Sequence, residues 1–314
     1  MFLRYVLLAV VIASSQMYAE QGIARAVKSE GGLVIYWEQN SSDAGANQVE
    51  IFDEHGHGIS KLNVLRPVPD AKRVSIDDVS ARGDLIAVGA VYVNKQGSRQ
   101  IPNAGALLLF DFSGQMLSAI TMDTTHAITR LAVDDRSNIW TLTDGAGVGV
   151  DPATVPMVVE YSNKGEIQKE LLTHKMFPFH ASDTRQDALI GPAAMGYEDG
   201  VVWFWLPGST DLVTVSTSDY KVSIMKPGLP MTGNHAYPLA IKREPSGSLV
   251  AQLGQENGAG GRELAYYRWS ASEWTRFKPG SCDGQVLIGT SAQGQIFIPH
   301  EIEHTSTCIF RNGQ

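Results

Sequence analysis

One short pattern recurs six times along the chain and leaves few folds open: an apolar run, a polar turn and a second apolar run. It reads Val27–Trp37, Val79–Val88, Val133–Leu142, Gly196–Trp205, Arg243–Ala251 and Thr290–Ile298. A second pattern, an apolar strand running into a polar turn and out again, falls strictly between copies of the first. Its copies are Val49–Gly56, Leu108–Gly114, Val158–Gly165, Leu212–Asp219, Tyr266–Ser272 and Cys308–Gly313. Each pair of patterns supplies four strands, A to D in chain order, and the repeat of about 49 residues has the length of a propeller blade. A lone antiparallel sheet with two apolar faces cannot bury both, whereas a ring lets every sheet pack on two neighbours. The expected fold is therefore all-β, a six-bladed β-propeller with four-stranded blades. Blade boundaries fall near 23–65, 74–122, 128–174, 188–227, 237–279 and 285–314, and the last blade is expected to hold three strands. Ring closure is then expected to rest on side-chain packing.

Composition agrees with a turn-rich globular chain: 31 glycines and 14 prolines among 314 residues. The formal charge is −8, from 25 Lys and Arg against 33 Asp and Glu, so a basic field for nucleic acid is missing. Glu166–Leu172 has good helix propensity but follows a C strand. It is expected to be a D strand or a short helical replacement of one.

The best copy of the first pattern, Leu131–Leu142, carries Val133-Asp134 followed by Ile139-Trp140, and the second pattern carries turns such as Phe110–Gly114. In these residues the chain resembles the NHL and SMP-30/gluconolactonase-like group of six-bladed propellers, over nearly all of residues 20–314. The resemblance implies architecture and leaves function open, because this fold hosts many unrelated activities.

Residues 1–19 read as a signal peptide: Arg4, an apolar run from Tyr5 to Ala13, and Ala19 at the cut. That run is too short to cross a bilayer comfortably, and no later stretch is long and apolar enough. The expectation is an exported protein, periplasmic or secreted, with residues 20–314 as a single propeller domain, no membrane span after cleavage, and a monomeric state. In an oxidising compartment Cys282 and Cys308 are candidates for a disulfide, worth roughly 3 kcal/mol in the chain-entropy model. Two buried free thiols are the alternative.

Antiparallel strands alternate their loops between two faces. The A–B and C–D turns are tight, so the long segments fall on the other face: Asn63–Arg73, Asn94–Gly105, Asp144–Pro156, Thr173–Asp187, Lys226–Tyr237 and Gln255–Arg262. Long loops on a rigid scaffold are the usual place for binding chemistry, and that face is expected to be the functional one. His126, His180 and His235 each precede an A strand of successive blades, a spacing that would let three imidazoles converge on a metal at the channel mouth; solvated loop histidines are the alternative. Arg25, Asp77 and Arg130 fall in A strands, where they either hold an anionic or polar ligand or pair between blades. Phe177 and Phe179, with Asn234 and Tyr237, are further ligand candidates on the long-loop face.

Two functional readings follow. The first is a binding protein that recognises a peptide, protein or glycan at its long-loop face and channel mouth, with no cofactor. The second is a lactonase- or hydrolase-like enzyme with a divalent metal in the channel, which would polarise a carbonyl and activate water. This second reading is what the resemblance implies: such propellers hold the metal with acidic and amide side chains at channel-facing strand ends, and Asp77, Asp183 and Asn234 are the residues near such positions.

Overall fold

The computed structural model describes residues 22–29, 32–38, 48–53, 57–68, 71, 73–96, 99–122, 128–143, 151, 154–173, 175–176, 194–206, 211–228, 236–256, 262–270, 272–299 and 307–311. These hold 23 strands in six antiparallel sheets. Blade 1 is β1 (Gly22–Ser29), β2 (Gly32–Glu38), β3 (Gln48–Phe52) and β4 (Gly58–Lys61). Blade 2 is β5 (Arg73–Arg82), β6 (Leu85–Gln96), β7 (Arg99–Phe110) and β8 (Met116–Met122). Blade 3 follows with β9 (Ile128–Val133), β10 (Ile139–Thr143), β11 (Pro156–Tyr161) and β12 (Ile167–Thr173). Blade 4 has β13 (Ala194–Glu198), β14 (Val201–Leu206), β15 (Asp211–Ser216) and β16 (Val222–Met225). Blade 5 has β17 (Ala236–Arg243), β18 (Leu249–Glu256), β19 (Arg262–Ser270) and β20 (Glu273–Phe277). Blade 6 has three strands, β21 (Val286–Ser291), β22 (Gly294–Ile298) and β23 (Cys308–Phe310). Every sheet is ordered as its strands run in the chain, so each blade is a simple meander. The A strands β1, β5, β9, β13, β17 and β21 touch in succession, and β21 touches β1, which closes a six-bladed β-propeller.

Period-two alternation explains why these strands make blades. In β6, Ile86, Val88 and Ala90 face blade 1, whereas Leu85 and Ala87 face blade 3; in β7, Ala106, Leu108 and Phe110 oppose Leu107 and Leu109 in the same way. A strand apolar on both sides has no solvent face and must be sandwiched. The buried side chains accordingly divide into six clusters, one per interface, from blades 1 and 2 round to blades 6 and 1. The closing cluster packs Leu33 and Phe52 of blade 1 against Ile288, Ile296 and Ile298 of blade 6. Cys282 and Cys308 form a disulfide, with Cα atoms 5.7 Å apart. It ties the 3-10 turn Gly280–Cys282, just ahead of blade 6, to that blade's last strand.

The recurring turn residues have structural work to do. Asp134 accepts backbone N–H groups of Arg136 (2.8 Å) and Asn138 (2.9 Å) on Oδ1 and the Trp140 indole N–H (3.1 Å) on Oδ2. One carboxylate thus closes the A–B turn and fixes the indole at the core of the interface between blades 3 and 4. Asp111 closes a C–D turn likewise, accepting from Ser113 and Gln115. The turn glycines Gly114 and Gly165 have φ of 84° and 86°. A methyl group on them would lie 2.2 Å from Ser60 Oγ and 2.3 Å from Ile120 Cγ1, on the outer strand of the preceding blade. These glycines therefore serve both the turn and the spacing between blades.

Two local features differ from the sequence-based expectation or resolve it. Asn94–Gly105 is no loop: β6 and β7 stay paired out to Gln96 and Arg99, so the B–C connection of blade 2 is a long hairpin. Glu166–Leu172 is strand, because pairing with β11 overrides its helix propensity. Among the described residues, no helix is long and apolar enough to cross a membrane.

Candidate functional site: the central channel

The inner edge of each A strand has no strand partner, so its outward N–H and C=O groups face the axis and need other partners. Neighbouring blades supply several. Asp78 Oδ2 accepts the Leu131 N–H at 2.8 Å, and Ser80 Oγ accepts that of Val133 at 3.2 Å, joining blade 2 to blade 3. Gln252 Oε1 accepts the Leu287 N–H at 3.0 Å, and the Thr290 hydroxyl donates to the Arg243 carbonyl at 2.6 Å, joining blade 5 to blade 6. The Ser29 hydroxyl donates to the Gly83 carbonyl at 3.0 Å, joining blade 1 to blade 2. Bulges interrupt the A strands at Ala24, Asp77, Thr129, Leu239 and Ile288. A bulge re-aims side chains that would otherwise lie between blades: Leu239 is exposed to the channel, whereas Ile288 lies where the channel wall meets the closing cluster.

A cavity of about 230 Å³ lies inside this ring, walled by A strands of all six blades. Its charged lining is Lys28, Arg82, Arg130, Lys242 and Arg243 against Asp78 and Glu198. Five cations to two carboxylates reverses the balance of a chain whose net charge is −8. Arg82, Glu198 and Arg243 are the last residues of their A strands, and Lys28 is one from the end of its own, so these four gather at the tight-turn end of the channel.

That end is built across blades. The Arg82 Nε–H donates to Asp135 Oδ1, and its guanidinium lies 4.6 Å from the centre of the Tyr197 ring. The Tyr197 hydroxyl donates to Asp135 Oδ2 at 2.7 Å and accepts the Gly200 N–H at 3.0 Å. Burial acts to raise the Asp135 carboxyl. The hydrogen bonds from Tyr197 and Arg82, with the Arg82 charge, outweigh it and hold the pKa below the ordinary value. Arg82 is thus neutralised and fixed. Glu198 is pushed up by burial, against the opposing pull of Arg82 and Arg243. Arg243 is pulled down by burial, against the charges of Glu198 and Asp199. Its Nε and Nη1 are buried and have no hydrogen-bond partner among the described residues.

Of the residues singled out from sequence, Arg25, Asp77 and Arg130 lie on β1, β5 and β9, the A strands of successive blades. Arg130 lines the cavity, and its guanidinium donates to the Thr129 carbonyl. Asp77 is the bulge residue of β5; the Arg25 side chain lies outside the described part. Tyr237 is on β17 with its side chain outside the described part. Phe177, Phe179, Asn234, Asp183, His126, His180, His235 and residues 1–19 lie outside the described residues. Much of the long-loop face does so as well. Among the described residues no group of three or more His, Cys, Asp and Glu is placed to hold a metal ion.

No family model matches the chain, and no curated protein matches it. Solved structures do. A Bacteroides caccae protein of unknown function aligns with a TM-score of 0.48 and 9% identity, covering 82% of each chain. A streptogramin B lyase aligns at 0.44 and 13%, covering 88% of this chain and 89% of its own. An inactive virginiamycin B lyase from Staphylococcus aureus aligns at 0.38 and 11%, covering 82% and 94%. Likeness at this level says nothing about activity or ligand.

Proposed function

We propose that this propeller is an exported binding protein that captures a segment of a peptide, protein or glycan at the mouth of its central channel. The observation that carries the reading is the cavity itself: all six blades contribute to it, and its lining mixes charged groups with an apolar wall of Leu239, Ile288, Val286 and Met195. Ligand pockets combine an apolar wall with placed polar groups, and this one is weighted toward its charged groups. The carboxylates and hydroxyls near it are largely occupied with backbone groups, as Asp78, Ser80 and Thr290 are, which favours binding over chemistry. Export is supported by the signal-like residues 1–19 and by the disulfide, a bond that persists in oxidising compartments. The NHL- and SMP-30-like character of the turn motifs belongs to the same proposal.

The test is a plug. Gly289 lines the cavity, and a Cβ added there would meet nothing closer than Ile296 Cδ1 at 3.9 Å. The Gly289→Tyr protein and its parent are screened side by side on glycan and peptide arrays. The parent is expected to retain ligands that the plugged protein loses at unchanged melting temperature. Ligands held equally by both proteins would place binding elsewhere and end this reading.

A further inference from the structure

The tight-turn end of the channel combines features that define a ligand chemistry. Arg243 is the first. A guanidinium has five N–H donors, and two of those nitrogens, Nε and Nη1, are shut off from solvent and left without a hydrogen bond among the described residues. Those two nitrogens lie behind the wall and hold the guanidinium charge unpaired, so the part of Arg243 that lines the cavity is a cation with no carboxylate matched to it. Thr290 holds the Arg243 backbone carbonyl, which anchors the residue at the last position of β17. Lys28, on β1, lines the same cavity and has no ion-pair partner among the described residues. Arg82, by contrast, is already matched with Asp135 and Tyr197, so it shapes the wall and leaves the open donors to Arg243 and Lys28.

Glu198 is the second feature. It lines the cavity close enough to feel Arg243, yet the two make no ion pair. A carboxylate and an unpaired guanidinium lining one cavity suit a ligand that carries both acceptor and donor groups. An acid bearing vicinal hydroxyls has that arrangement: its oxyanion meets Arg243 and Lys28, and its hydroxyls donate to Glu198. The apolar wall of Leu239, Val286 and Ile288 fits the carbon face of a sugar ring.

We propose that the tight-turn mouth is a subsite for an anionic sugar, carboxylated or phosphorylated, with Arg243 as the oxyanion donor and Glu198 as the hydroxyl acceptor. This rests on the channel-binding reading above and narrows it. It also moves the recognition element to the face opposite the long loops.

The experiment titrates the full chain with galacturonate, glucose 6-phosphate, galactose and inorganic phosphate, by calorimetry and by intrinsic tryptophan fluorescence, to which the cavity-lining Trp203 contributes. Galacturonate or glucose 6-phosphate is expected to bind about tenfold or more tightly than galactose. The tighter of the two identifies carboxylate or phosphate as the anion. Arg243→Gln is expected to weaken the anionic sugar by about tenfold or more and leave galactose unchanged, with Arg243→Lys in between. Glu198→Gln is expected to weaken the sugars but not inorganic phosphate. Galactose binding as tightly as the acids, with indifference to Arg243→Gln, would overturn the anionic subsite and leave the channel reading standing. Anions bound by parent and Arg243→Gln alike would overturn it too. Loss of every ligand in the plugged Gly289→Tyr protein, with none of these sugars bound by the parent, separates a wrong sugar class from a wrong channel. Should Arg243→Gln melt early, Lys28→Gln carries the same test from the surface.

Discussion

The interface between blades 1 and 2 and the one that closes the ring between blades 6 and 1 do the same job with different means. Among the described residues, sixteen buried side chains fill the first, including Leu62, Val64 and Ala71 from the connection between the blades. Four fill the second: Leu33, Ile288, Ile296 and Ile298. Successive blades are joined by a connection that itself packs into the seam, and Tyr92 fastens it by donating its hydroxyl to the Val64 carbonyl. Among the described residues no such connection packs into the closing seam, which forms between distant parts of the chain and so costs loop-closure entropy. The disulfide does not bridge that seam. It secures blade 6 on its other side, where Phe310 of β23 stacks on Phe277 of β20 with ring centres 5.7 Å apart. The short blade is held to blade 5 by this stacking, and the described part of the closing seam is the cluster of Leu33, Ile288, Ile296 and Ile298.

The largest expected effect sets the two seams against each other. Phe110→Ala, in the first, is expected to cost about 3–5 kcal/mol, and Ile298→Ala, in the closing seam, about 2 kcal/mol, read from denaturant midpoints. Equal costs would erase the distinction. Next, replacing Cys282 and Cys308 together by Ser is expected to remove about 3 kcal/mol and to speed amide exchange in β21–β23 while sparing β5–β8. Uniform exchange across the ring would show that blade 6 is not the weak segment. The smallest effect concerns a third seam. Glu160 accepts from Asn138 Nδ2 and from the Tyr220 hydroxyl, each at 2.9 Å, linking blades 3 and 4. Burial is the main influence on its carboxyl and raises the pKa above the ordinary 4.5. A carboxyl whose folded-state pKa is raised stabilises the fold while protonated, and that contribution fades as pH climbs through the raised value. Glu160→Gln is therefore expected to melt above its parent at pH 8, with the gap closing below pH 4. A gap that widens on acidification would reverse the assignment.

The blades were legible because many A–B and C–D turns use related chemistry. Asp111, Asp134 and Ser162 take turn N–H groups on a side-chain oxygen, and Gly114 and Gly165 adopt positive φ. The hairpin tip was not. Asn94-Lys95-Gln96-Gly97-Ser98-Arg99-Gln100 is polar on both faces, so it carries none of the alternation by which a packed strand is recognised. Strand β12 was ambiguous for a related reason: an outermost strand is half solvated and tolerates residues of high helix propensity, such as Gln168, Lys169 and Glu170. The candidate site was only partly visible. Arg130 on β9 is a channel candidate from sequence because it falls in an A strand, whereas Lys28, Arg82, Glu198 and Arg243, at the ends of theirs, are not among the candidates. A signal was present, since these charges close their A strands just before the turn. Its meaning depends on six strand ends meeting at one axis, and a linear reading does not measure that distance.

The bond between Cys282 and Cys308 encloses β21 and β22 within one covalent loop. A protease that cuts the backbone anywhere inside that loop yields two pieces still joined through sulfur. The nicked molecule would keep its last strand in place until a reductant reached it, so cleavage there would leave its mass unchanged on a non-reducing gel and split it on a reducing one.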